Sequence, residues 1–108
     1  MNLPTEVFGN VMVIHSPEEL GVDQADLFQA YLTGQERNNI VLDLDNTESL
    51  DSAGLKALLD VQEKLREQQG DLKIATTNAI NRKILEITRL DRQLEVFDSV
   101  IDAVKTFR

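Results

Sequence analysis

The segment from Ile40 to Leu65 constrains the fold more than any other part of the chain. An apolar run of strand length, Ile40 to Asp45, is followed by a short loop, Asn46 to Leu50. Apolar residues then return at the spacing of a helix, at Leu55, Leu58, Leu59, Val61 and Leu65. This order of strand, loop and helix predicts an α/β unit in which Ser52 lies at or next to the start of the helix.

Ser52 is the candidate functional residue of this unit. Backbone N–H groups in the first turn of a helix lack partners within the helix, and the macrodipole favours negative charge there. A phosphate on Ser52 would therefore meet hydrogen-bond donors and a favourable field. Serine is also a preferred N-cap, so the spacing by itself favours a purely structural cap. Position alone leaves both interpretations open.

The remaining sequence continues the alternation of strands and helices without a linker or repeat. A strand is expected at Val11 to Ile14, and Ser16-Pro17-Glu18-Glu19 resembles a helix start that Gly21 interrupts. A helix over Asp23 to Thr33 has an apolar side of Leu27, Phe28, Tyr31 and Leu32. Two later helices have apolar sides of Ile80, Ile84, Ile87 and Leu90, and of Val100, Val104 and Phe107. The pattern predicts a largely parallel sheet within one domain, residues 1–108.

Charge and composition exclude several classes of function. Nineteen acidic residues against eleven basic ones give a net charge of -8, which argues against a nucleic-acid binder and favours a cationic partner surface. The chain has no cysteine, so disulfides, thiolate sites and Cys/His zinc sites are excluded. No apolar run approaches the roughly 20 residues of a membrane span, and no signal peptide is apparent. We expect a cytoplasmic protein that does not insert into membranes.

No enzyme site is visible in the sequence. Asp43 and Asp45 share one face of a strand and could hold a metal ion, but a solvated or hydrogen-bonded pair is the simpler interpretation. His15 is the only histidine, and Ser16 beside it would point to the opposite face of the strand, so a Ser-His-Asp triad is not expected. The glycines match no dinucleotide or phosphate loop. We therefore predict no catalytic residues, no metal and no cofactor, and expect His15 to be an ordinary solvated residue.

The residues themselves resemble the STAS domain family, whose best-known members are anti-anti-sigma factors. The resemblance lies in Val41-Leu42-Asp43-Leu44 followed by Leu50-Asp51-Ser52-Ala53-Gly54-Leu55. It extends over most of the chain, with an early strand at Val11 to Ile14, a later one at Leu72 to Ala75, and a closing turn, strand and helix from Arg89 to Phe107. The resemblance implies a short, mixed, mostly parallel sheet backed by about four helices, with a phosphate-accepting serine where the central helix begins.

The resemblance also implies a function, that of an anti-sigma factor antagonist. Such a protein would bind an anti-sigma factor with serine kinase activity while Ser52 is free, and release it once Ser52 is phosphorylated. A serine phosphatase would reverse the modification. Partner-binding residues would be Asp51, Ser52, Ala53, Gly54 and Lys56, together with Glu18 and Glu19 in a loop where the family usually has a Gly-x-Leu-Asp sequence.

A second hypothesis keeps the fold and changes the class of protein. The chain would then be a STAS binding subunit of a transporter or of a signalling assembly, without a phosphorylation switch. Serine rather than threonine at position 52 favours the anti-sigma pathway. Both hypotheses place binding on the same surface. They differ in whether phosphate on Ser52 controls that binding.

Overall fold

Strands and helices alternate along the computed structural model, which describes residues 1–107. The strands are β1 (Thr5–Phe8), β2 (Val11–His15), β3 (Glu19–Leu20), β4 (Asn39–Asp43), β5 (Ser49–Leu50), β6 (Asp71–Ala75) and β7 (Glu95–Phe97). The α-helices are α1 (Ala25–Thr33), α2 (Ser52–Glu67), α3 (Ala79–Ile87) and α4 (Val100–Lys105). A short 3-10 helix, Leu90–Arg92, precedes β7.

Five of these strands form one mixed sheet in the order β1-β2-β4-β6-β7. β2, β4, β6 and β7 are parallel, and β1 pairs antiparallel with β2. The predicted fold class, a short and mostly parallel sheet with four helices, is confirmed. The prediction lacked β1, because its apolar residues Val7 and Phe8 are adjacent and do not alternate with polar ones, and all four residues of the strand are exposed.

The two faces of the sheet are covered unequally. On one face α1, α2 and α3 enclose the larger core, which contains Phe28, Leu32, Ile40, Leu42, Leu58, Leu65, Ile74 and Leu85. On the other face α4 covers a smaller cluster made by Val11, Val13, Val41, Ala75 and Ala103. The alternation of Ile40, Val41 and Leu42 between these clusters follows from the two-residue period of a strand.

Three predicted features of the helices are wrong. Leu27, which was assigned to the apolar side of α1, is 59% exposed. Ser16 to Glu19 does not begin a helix, because the following residues form β3 and pair in parallel with β5. α3 does not bury its isoleucines, since Ile80 and Ile87 are 72% and 70% exposed. The buried residues of α3 are instead Asn81 and Leu85. The Asn81 amide donates to the carbonyls of Leu44 and Thr47, at 3.1 and 2.8 Å, and this fixes the rotation of the helix.

Candidate functional site

The start of α2 is packed against a small two-stranded sheet formed by β3 and β5. The Glu48 N–H donates to the Glu18 carbonyl at 2.8 Å, and Leu20 is paired with Leu50. These loops follow β2 and β4, so they meet at the carboxyl edge of the main sheet. The sheet thereby brings together the loop containing Glu18 and Glu19 and the helix start containing Ser52.

Asp51 is the N-cap of α2. Its backbone is extended, and its Oδ1 accepts hydrogen bonds from the N–H groups of Ala53 and Gly54, at 2.9 and 3.1 Å. Ser52 is consequently the first residue of the helix, so the interpretation of Ser52 as a simple cap is wrong. The expectation that a phosphate would find free donors there is also corrected, because Asp51 already occupies two of them.

Ser52 presents a free hydroxyl to solvent. The residue is exposed, and its Oγ makes no hydrogen bond within the described part of the chain, residues 1–107. Neighbouring positions are fixed by the cap and by the packing of α2 against β3. A hydroxyl held on a rigid helix start, with no competing internal partner, is accessible to another protein.

Gly54 and Gly21 make the close packing of this helix start possible. Gly54 is buried, and a Cβ atom there would overlap the carbonyl oxygen of Leu20 in β3. A Cβ atom at Gly21 would lie 2.7 Å from Asp51 Oδ2. Gly54 therefore admits a backbone segment of its own chain, and it is not available for contact with a partner. Ala53 is only partly buried.

Lys56 lies one helical turn after Ser52 and is directed away from it. Its Nζ is 2.8 Å from Asp60 Oδ2, in an ion pair of the i, i+4 kind. The hydrogen bond that Lys56 donates to Asp60 raises the pKa of Lys56. The exposed charged side chains on the loops that meet Ser52 are instead acidic, and they include Glu18, Glu19, Glu48 and Asp51. The surface around the serine is anionic and suits a cationic partner.

Asp45 ties the loop after β4 to the loop after β6. It accepts hydrogen bonds from the N–H and hydroxyl of Thr77, at 2.6 and 2.9 Å, and from the hydroxyl of Thr76 at 3.0 Å. Burial opposes ionisation of Asp45, but these hydrogen bonds outweigh it and lower the pKa of the carboxyl. Asp45 thus holds these two loops together at the edge of the sheet on which Ser52 lies.

His15 is held between two carboxylates, so its predicted role as an ordinary solvated residue is wrong. Nδ1 is 2.9 Å from Asp43 Oδ2, and Nε2 is 2.8 Å from Glu6 Oε1. The hydrogen bond with Glu6 raises the pKa of His15, and the hydrogen bond with Asp43 raises it further. Sequence reasoning missed this site because Glu6 lies on β1, which has no apolar pattern. The Gly9-Asn10 turn signal could have located that strand.

The described residues contain neither a cluster of metal ligands nor a membrane-spanning helix. Within residues 1–107, no group of three or more His, Cys, Asp or Glu side chains is placed to hold a metal ion. None of the helices in that range is both long enough and apolar enough to span a bilayer. The carboxyl edge carries the capped helix start with its serine, the hydrogen bonds of Asp45 to the loop after β6, and the contact of His15 with Asp43.

Comparison with known proteins places this arrangement in a family. The STAS domain pattern matches residues 2–103. A Thermotoga maritima protein, provisionally named an anti-sigma factor antagonist, is 24% identical over 97% of this chain and 96% of its own length. An anti-sigma factor antagonist from Mycobacterium paratuberculosis superposes with a TM-score of 0.83 at 23% identity, covering 97% of this chain and 92% of that one. The anti-sigma factor antagonist SpoIIAA in its unphosphorylated form gives 0.77 at 15% identity, with 97% and 95% coverage. This chain therefore belongs to the STAS domain family.

Proposed function

We propose that this protein is an anti-sigma factor antagonist controlled by phosphorylation of Ser52. With Ser52 free it binds an anti-sigma factor that is also a serine kinase, and with Ser52 phosphorylated it releases that partner. A serine phosphatase restores the binding form. The observation that carries this proposal is the exposed, unbonded Ser52 hydroxyl on a rigidly capped helix start. The names of similar STAS proteins support the same pathway.

The phosphate acts at the interface and not through refolding. It adds about -1.5 to -2 charges at neutral pH. The N–H groups of Ala53 and Gly54 already donate to Asp51, so they are not free to bind the phosphate. It stays at the surface, beside the Asp51 carboxylate. Weakening the complex a hundredfold requires about 2.7 kcal/mol, which a dianion pressed against a surface shaped for a hydroxyl can supply.

In this proposal the chemistry belongs to the partners. The kinase transfers the phosphate and the phosphatase removes it, while the STAS chain supplies the hydroxyl and the surrounding surface. Asp51 acts as a positioning residue, since its cap sets the direction of Ser52. Glu18 and Glu19 add negative charge that complements a cationic surface on the kinase. The proposed place of action is the cytoplasm, where a sigma factor pathway operates.

Calorimetric titration against the purified kinase tests the proposal with three proteins. The parent should bind and lose its affinity after incubation with ATP. Ser52→Ala should bind and no longer respond to ATP, and Ser52→Asp should remain folded and fail to bind. If folded Ser52→Asp binds as tightly as the parent, the switch is wrong, and a passive STAS subunit of a transporter or signalling assembly becomes the better account.

Phosphopeptide mapping supplies the control for the site of modification. Ser49 is also exposed but lies on β5, whereas Ser16 is buried and the Ser99 hydroxyl caps α4 by accepting from the Asp102 N–H at 3.0 Å. We expect one phosphate, on Ser52. Full labelling of Ser52→Ala, or phosphate mapped to Ser49, would exclude Ser52 as the acceptor.

A further inference from the structure

An apolar stripe on α3 is left exposed by the way the helix is anchored. Ile80, Ile84 and Ile87 recur at intervals of four and three residues, so they lie along one side of the helix. Ile80 and Ile87 are 72% and 70% exposed, and Ile84 is partly buried. The Asn81 amide, bonded inside the fold, holds this side away from the core. These three residues are called the isoleucine stripe below.

The isoleucine stripe begins at the edge that carries Ser52. Asn81 bonds the Leu44 and Thr47 carbonyls, in the loop that leads to Ser52. The opposite flank of α3 is fixed by Arg82, whose Nη1 is 2.6 Å from Asp98 Oδ1, just after edge strand β7. The isoleucines lie on the other flank of α3, and Ile80 is in its first turn, close to the edge that carries Ser52. A protein seated over Ser52 can therefore reach the stripe.

Charge around the stripe is opposite to charge around the serine. Residues 79–92 contain four basic residues and two acidic ones, in a chain whose net charge is -8. Lys83 and Arg89 are exposed and form no ion pair among residues 1–107. The loops beside Ser52 present glutamates and aspartates. The edge is thus anionic near Ser52, whereas the exposed charges on α3 and the turn after it are the cations Lys83 and Arg89 and the anion Glu86.

We propose that the isoleucine stripe is the apolar part of the surface on which the kinase docks. This inference rests on the proposed function and names the partner's chemistry: apolar side chains bordered by carboxylates over α3, and cations over Ser52. A second copy seated with α3 on α3 fits poorly, because it would bring Lys83 and Arg89 against like charges. An anionic membrane fits poorly as well, because the neighbouring acidic loops repel it. The stripe supplies affinity, and Ser52 supplies control.

Ile80→Ser and Ile87→Ser test the stripe, with Ile101→Ser as the matched control. Ile101 is 64% exposed but lies on α4, on the opposite face of the sheet. Each stripe variant should weaken binding of the purified kinase about tenfold or more, as loss of an apolar anchor does. Ile101→Ser should bind within about twofold of the parent. Circular dichroism melts of all three check that the fold is kept.

The outcomes separate this inference from the switch. If the stripe variants are folded and bind like the parent while Ser52→Asp does not bind, the stripe is wrong and the switch stands. If the stripe variants lose affinity while Ser52→Asp binds normally, the docking surface stands and the switch falls. A kinase that does not bind the parent overturns both. Two results would assign the stripe to another occupant. One is a parent dimer in sedimentation velocity, and the other is parent protein that pellets with phosphatidylglycerol vesicles. In either case Ile87→Ser must abolish the association.

Discussion

At the scale of single residues, Asp51 caps α2 and Ser52 carries the exposed hydroxyl, although the sequence would allow Ser52 to do both. Both are preferred cap residues, and either could have ended the loop before α2. Asp51 caps the helix, which leaves the Ser52 hydroxyl unbonded. Separation of the two tasks matters because a serine that had to cap its helix could not be modified without loss of that contact.

Replacing these two residues by alanine should therefore have different effects on stability. Asp51→Ala should lower the free energy of unfolding by about 1 kcal/mol, because it removes the bonds to the Ala53 and Gly54 N–H groups. Ser52→Ala should change it by less than about 0.5 kcal/mol, as surface substitutions usually do. Asp51→Asn, which can still cap, is the matched control. Urea unfolding measures all three, and equal losses for Asp51→Ala and Ser52→Ala would contradict the assignment.

His15 gives the fold a dependence on pH. Carboxylate oxygens only accept hydrogen bonds, so contact of both ring nitrogens with Glu6 and Asp43 requires a proton on each nitrogen. The folded protein therefore stabilises the imidazolium, in agreement with the raised pKa of His15. This contact joins the edge strand β1 to β2 and β4.

Stability should consequently fall as pH rises above the ordinary histidine value. A raised pKa in the folded state contributes stability that is complete below the unfolded value of 6.5 and is lost as pH rises through the folded pKa. In urea unfolding from pH 6 to pH 9, the midpoint for the parent should decline with pH. His15→Gln should remove that decline. A parent midpoint that is constant over this range would show that the imidazolium contributes nothing to stability.

At the scale of elements, the position of α2 depends on the absence of a side chain at Gly54. The helix start lies directly on β3, where the Leu20 carbonyl occupies the space of a Cβ atom. The sequence did not predict this contact, because β3 has only two residues and follows a segment, Ser16 to Glu19, that resembles a helix start.

Gly54→Ala should destabilise the protein, against the usual preference for alanine in helices. An alanine within a helix is ordinarily better than glycine by about 1 kcal/mol. Here the added methyl must push α2 away from Leu20, so a loss of about 1 to 3 kcal/mol is expected. Lys56→Ala, at an exposed position two residues along the same helix, serves as control. Chemical denaturation gives the difference, and a stabilised Gly54→Ala would refute the packing argument.

The helices also mark where periodicity succeeds and where it fails. In α2 the apolar spacing predicted the buried residues Leu58, Val61 and Leu65, although Gln62 is buried beside them and donates to the Gln93 carbonyl at 2.8 Å. In α3 the same rule selected Ile80 and Ile87, which are exposed. The buried bonds of Asn81 to a loop determine that rotation, and such bonds depend on tertiary structure that single-sequence patterns do not contain.

At the scale of the whole molecule, the sequence predicted the order of the parallel unit and the place of the serine, and it missed contacts between distant segments. Glu6 reaches His15 only after β1 forms an edge, and Asp45 binds Thr76 and Thr77 only after two loops meet. Helix and strand patterns are local in sequence, so they find elements and leave such long-range bonds unseen. The family resemblance predicted the topology, and the structure shows the long-range hydrogen bonds.

Net charge leads to the last prediction, which concerns how fast the proposed complex forms. A chain with a net charge of -8, and with Glu18 and Glu19 exposed beside Ser52, should steer a cationic kinase surface toward the serine. Screening shortens the range of this attraction to about 10 Å at 0.1 M salt. The association rate constant, measured by stopped flow, should therefore fall as sodium chloride rises from about 50 to 500 mM, with a smaller effect on dissociation. The double variant Glu18→Gln and Glu19→Gln should have a shallower salt dependence, whereas Glu67→Gln, at the far end of α2, should match the parent. If the double variant and the parent respond equally to salt, the acidic loop does not guide docking, and the approach of the kinase is governed by another part of the surface.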